Sequence, residues 1–178
     1  AVEDCFYVDS GLSYNGAATA TFSGLDHLEG ETVVVLADGV VINDKVVTSG
    51  AITLDDTYSK VHVGLSYTPK IEMLQIDIPS MQQSLKGKRV NIPSLYIEIQ
   101  DSRSLFAGVK GEELTEATPR EVSYSYDAQP LNSWVEELNI MPQWSDGREV
   151  GSSNIVLEQR DPLPLAILSV TAEVEISG

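Results

Sequence analysis

The chain has 178 residues, a formal net charge of −16, 42% apolar residues and 21% charged residues. That length suits one ordinary domain or two small ones, and the composition excludes wholesale disorder. Acidity on this scale repels phosphate, which excludes nucleic-acid binding by phosphate neutralisation, and no apolar run approaches the roughly 18 residues of a membrane span.

The opening "AVEDCFYVDSG" carries acids where a signal peptide has its basic region. It lacks a starting Met, as an excised domain, a processed chain or a chain trimmed of its Met would. Cys5 is the sole cysteine, so no intrachain disulfide forms, and it reads as a free thiol at a strand start. In "GLDHLEGETVVVLADGVVIND", Asp26, His27, Glu29 and Glu31 crowd together ahead of valines interrupted by Asp38-Gly39. Asp-Gly between β-branched runs predicts a type I′ hairpin turn, with positive φ at both central residues. Further turns are expected at Asn43-Asp44 and Ser49-Gly50, which makes 32–54 an antiparallel meander.

Beyond it, "SKVHVGLSYT" alternates Val61, Val63 and Leu65 against His62, Gly64 and Ser66. "KIEMLQIDIP" is a strand-length piece between prolines. "PSMQQSLKGK" has room for one helical turn, capped by Ser80 and stopped by Gly87. "PSLYIEIQDS" sets Leu95, Ile97 and Ile99 on one face, and "REVSYSYDA" groups Val122, Tyr124 and Tyr126. "NSWVEELNIM" imitates a capping box at Ser133 and Glu136, yet reads better as extended. Segments 108–119 and 146–154 read as loops. The closing "AILSVTAEVEIS" turns Leu168, Val170, Ala172, Val174 and Ile176 inward, a strand expected inside its sheet.

The chemistry that needs particular ligands is poorly supplied. Two histidines, His27 and His62, and one cysteine fall short of a zinc site. Asp26, His27 and Glu29 read instead as a polar loop before Thr32, with His27 partly exposed or bonded to backbone. "DDTYSK" and "DHLEGE" lack EF-hand spacing, so calcium would bind them only adventitiously. There is no Gly-x-Ser-x-Gly elbow and no phosphate-cradling loop. Carboxylates are too numerous to single out a glycosidase-like pair. The residues set apart as possible partner contacts are Trp134, Trp144, Tyr124 and Tyr126.

"GLDHLEGETVVVLADGVV" and "VTSGAITLDDTYSKVHVGLSYTPKIEMLQID" together resemble the C-terminal region of the tail nozzle family of short-tailed bacteriophages, also called tail tubular protein B. "CFYVDSGLSYNG", "GKRVNIPSLYIEIQDS" and "QRDPLPLAILSVTAEVEIS" are similar to its lead-in, a later strand and its closing strand. "GVKGEELTEATPREVSYSYDAQPLNSW" carries little of the likeness. The resemblance implies a phage or prophage virion structural protein with no enzymatic activity and no cofactor. It implies a homo-oligomeric ring, usually sixfold, that contacts other tail or portal–adaptor proteins, in a virion tail assembled in the bacterial host cytoplasm. The chain is shorter than a whole nozzle protein, so it would be one domain of it or a small relative. An acidic lumen would let DNA slide without sticking.

The fold expected is all-β: an antiparallel β-sandwich or partly open β-barrel with a hairpin meander and little helix. It reads as one domain, 1–178, or as two subdomains, 1–79 and 89–178, with a break near 80–88. The expected core is Val33, Val35, Val41, Val47, Ile52, Leu54, Val61, Val63, Leu65, Leu95, Ile97, Ile99, Val170, Val174 and Ile176. The rival readings are a carbohydrate- or receptor-binding β-module, suggested by the aromatics, and an enzyme working through paired carboxylates.

Overall fold

The computed structural model describes residues 1–76, 89–117, 123, 130–131, 136–140 and 154–177. The chain is all-β, with antiparallel sheets that do not close into a barrel. It divides into two compact units. The first contains Ala1–Thr68 and Arg160–Pro164, and the second takes up the chain at Pro69. The segment 80–88, with its expected break and helical turn, lies outside the described residues, as does Ile176 as a side chain.

The first unit is a four-stranded sheet of β1 (Asp9–Ser23), β2 (Thr32–Ala37), β3 (Val40–Val46) and β4 (Ala51–Leu65). Asp38 and Gly39 join β2 to β3 at φ 47 and 84, with Ala37 paired to Val40, as the Asp-Gly signal requires. Ser49 and Gly50 make the second expected turn, at φ 56 and 66. Asn43-Asp44 makes none. Val35 pairs with Ile42 and Val33 with Lys45, so Asn43 and Asp44 together oppose Val34 as a β-bulge inside β3, with Asp44 at φ 58. Asp tolerates the left-handed conformation in either setting, so residue type alone does not separate bulge from turn.

The strand order is β1-β4-β2-β3, so 32–54 is not a meander: β4 joins the far edge of β2 rather than β3. Turn residues decide where the chain reverses, not which edge it then joins. Ile52 and Leu54 from one end of β4, and Val61 and Val63 from the other, enter the same core as Phe22, Leu25, Leu28, Val33, Val35 and Val47. Ile42 packs on that core, whereas Val41, which pairs with Leu36, is only half-buried on the opposite face. Leu65 is likewise half-buried at the margin of the core.

That opposite face is also covered. Val34 and Leu36 pair with Gly64 and His62 of β4, and the N-terminal residues 1–8 cross these positions as a strap. Glu3 accepts a hydrogen bond from His62 Nε2 at 3.1 Å, and the Phe6 ring stands edge-on to the imidazole at 5.5 Å. Asp4 pairs with Lys60. Because a backbone carbonyl only accepts, Nε2 carries a proton, and Nδ1 is hydrogen-bonded to Ser13 Oγ at 2.7 Å. Cys5 lies within this strap, at the end of the 3-10 turn Val2–Asp4, rather than at a strand start. Burial pushes its thiol pKa up, which makes it less reactive.

The second unit is a sandwich. One sheet orders β5 (Lys70–Glu72), β10 (Ile155–Glu158), β7 (Leu105–Val109) and β8 (Thr115–Ala117) as β5-β10-β7-β8. The other orders β11 (Ala166–Ser177), β6 (Arg89–Gln100) and β9 (Glu136–Ile140) as β11-β6-β9. Leu95, Ile97 and Ile99 of β6 pack with Leu105 and Ala107 of β7 and Ile155 and Leu157 of β10, forming one core between the two sheets. Only three residues of "KIEMLQIDIP" pair as strand, and 108–117, expected as loop, supplies the end of β7 and all of β8. β9 is extended, as "EELNI" was read.

β11 departs from its expected placement in two ways. It is an edge strand among the described strands, paired with β6 alone. Its apolar alternation reports packing against the facing sheet and is silent about lateral pairing. Its pairing with β6 is also irregular twice, between Ile167 and Ser169, where Leu168 is the extra residue, and between Glu173 and Glu175, where Ile92 and Pro93 of β6 oppose Val174. The first turns Leu168 outward, 53% exposed, and gives its inward place to Ile167. Val170 and Val174 are half-buried.

The corner from β6 to β7 turns on Asp101 and Ser104, at φ 47 and 63. Its buried backbone groups are satisfied by side chains, as burial demands. Ser102 Oγ donates to Gln100 O and accepts from Ala166 N, both at 2.7 Å, and Gln159 Nε2 donates to Arg103 O at 2.7 Å.

Candidate functional site

The acidic cluster of the opening stretch disperses into separate structural tasks. Asp26–Leu28 form a 3-10 turn that buries Leu28 and leaves His27 exposed. His27 Nε2 donates to Ser10 O at 2.7 Å. The Glu29 carboxylate accepts from Ser49 N at 2.9 Å and Gly50 N at 2.7 Å, which caps the second turn from 20 residues upstream. The Asp38 carboxylate does the same for β4, accepting from Ser59 N at 3.0 Å and Lys60 N at 2.8 Å. Among the described residues, no three of His, Cys, Asp and Glu converge as a metal-binding group.

The hydrogen bonds from Gly50 and then Ser49 hold the Glu29 carboxyl below its usual pKa. A lowered folded-state value stabilises the fold above the ordinary glutamate range, and the gain disappears as pH falls through the lowered value. We expect Glu29→Gln to be less stable than the parent at pH 7, with the two converging toward pH 3. Urea midpoints taken across that range check this, and a gap that persists at low pH refutes it.

The four aromatics read as partner contacts, Trp134, Trp144, Tyr124 and Tyr126, lie outside the described residues. Of the other tyrosines, Tyr58 packs against the first core, Tyr67 is 47% exposed, and Tyr96 lines a recess. That recess, about 190 Å³, lies on the outer face of the β11-β6-β9 sheet and is lined by Tyr96, Glu98, Ser169 and Thr171. Register builds it: Tyr96 pairs with Thr171, and Glu98 with Ser169. Two long side chains on the central strand stand beside two short hydroxyl side chains on the edge strand, and the difference in height leaves the hollow. Ser169 Oγ donates to Glu98 Oε2 at 2.7 Å, which fixes the carboxylate at the floor.

No protein-family model matches the chain, and no curated protein matches it. The site is therefore read on its own chemistry. From the sequence, Tyr96 counts among the recurring tyrosines and shares with Glu98 the face of β6 opposite Leu95, Ile97 and Ile99, but neither is singled out as a site. The available signal was their alternation with Leu95, Ile97 and Ile99, which marks them as surface residues but not as neighbours of Ser169 and Thr171.

Proposed function

We propose that the chain is a non-enzymatic virion component, an all-β domain of a short-tailed phage's nozzle or tail-connector protein that makes subunit or tail-assembly contacts. What supports this reading is the use of the family-like stretch as scaffold. Its Glu29 and Asp38 carboxylates are spent capping backbone at Ser49–Gly50 and Ser59–Lys60, and its valines build both faces of the sheet. In this role the protein needs no cofactor. Its partners are other copies of itself in a ring and the neighbouring tail or portal–adaptor proteins. The test joins gene neighbourhood to mass. Portal, adaptor or fibre genes beside this one are expected, together with a ring-sized complex by native mass spectrometry when it is co-expressed with the adjacent gene products. A metabolic operon around the gene, or a monomer under co-expression, overturns the proposal.

A further inference from the structure

The geometry points to the recess at Tyr96, Glu98, Ser169 and Thr171 as a socket for a basic side chain, arginine or lysine, presented by a partner protein. Glu98 is half-buried at the centre of the sheet face, and among the described residues its carboxylate has the Ser169 hydroxyl as partner and no cation. A half-sequestered carboxylate without a counter-charge is costly, and a cation that reaches it gains a charge-assisted hydrogen bond. Tyr96 lines the same recess, and an aromatic ring there suits cation–π contact with a guanidinium or ammonium group. Thr171 and Ser169 offer hydroxyl oxygens as further acceptors.

Size and field support the same occupant. At about 190 Å³ the hollow is smaller than pockets for drug-sized ligands, which run roughly 300–1,000 Å³, and it matches one side chain rather than a cofactor. Glu173, exposed two pairs beyond Thr171 along β11, and the −16 net charge extend a negative field around the mouth. That field draws in cations and opposes anionic ligands. The socket deepens the assembly reading by naming what the partner brings, and it rests on that reading only for the partner's being a protein.

The test uses the whole chain, with N-acetyl-arginine methylamide as probe and its uncharged citrulline counterpart as control, followed by amide chemical shifts. The arginine probe is expected to move the amides of 95–98 and 169–172 saturably, and the citrulline probe to leave them in place. Glu98→Gln keeps the shape and a hydrogen-bond acceptor and is expected to weaken the arginine probe about tenfold, the loss of one charge-assisted bond. Tyr96→Leu tests the ring separately and is expected to weaken it less. Shifts scattered over the acidic surface and unchanged in Glu98→Gln overturn the socket. So does equal response to the citrulline probe, or a response of the same amides to methyl glucoside but not to arginine. A failure here removes the socket and leaves the assembly role to the gene-neighbourhood and mass test.

Discussion

Leu95→Ala is expected to destabilise the second unit by about 2–5 kcal/mol, the range for emptying a leucine from a close-packed core. Leu95 is 0% exposed and lies mid-strand in β6, which is hydrogen-bonded on both sides, to β11 at Ala172 and to β9 at Ile140. Removing its side chain takes apolar contacts from the cluster shared with β7 and β10, and neither sheet can collapse into the gap without breaking its ladder. The conservative Ile99→Val should cost about 0.5–1.5 kcal/mol, so the two together calibrate the packing. Hydrogen exchange at the β6 amides is the suitable measurement, because a chain of two units need not unfold in one step. A Leu95→Ala loss below about 1 kcal/mol would contradict the tight sandwich core.

The second large effect is expected at Gly64. A Cβ there would lie 2.6 Å from Asp9 O, 2.8 Å from Gly11 Cα and 3.0 Å from Val8 Cβ. Two of these are backbone atoms, so the clash is not relieved by turning a flexible side chain aside. Gly64→Ala should lift the strap and the start of β1 from the sheet and cost about 1–3 kcal/mol, as overpacking does. Faster amide exchange over residues 5–12 would accompany the loss, since Phe6 and Val8 would lose their seat on His62 and Gly64. Gly30→Ala is the matched control: its φ of 80 strains any side chain, but nothing lies within 4 Å, so exchange at 5–12 should not change. Equal exchange in both variants would show that the strap does not rest on Gly64.

Legibility in the sequence followed the range of the interaction. Leu95, Ile97 and Ile99, and likewise Val61 and Val63, were readable because alternation along one strand reports directly on burial. Asp38-Gly39 and Ser49-Gly50 were readable because a left-handed turn restricts residue type locally. β1 was missed: the alternation in "DSGLSYNGAATATFS" is carried mostly by small residues, with Leu12, Tyr14 and Phe22 its large apolar ones, and β4 offers it a ladder. The Glu29 cap was invisible for a similar reason, since its donors at Ser49 and Gly50 lie 20 and 21 residues away. The recess depends on a register between residues some 70 positions apart, set by the bulge at Leu168. A slip of one residue there would turn Glu98 and Ser169 from neighbours into strangers.

Among the described strands, the bulged edge of β11 also bears on self-association. A flat twelve-residue border of open donors and acceptors would template pairing with any extended chain, including another copy of itself. The extra residue at Leu168 breaks the even spacing of that border near its start. Two copies meeting along that border would bring Glu173 and Glu175 of each toward the other's carboxylates, a repulsive match. Among the described strands, the border of β11 thus carries its own guard against pairing with a second copy, made from one extra residue and two glutamates.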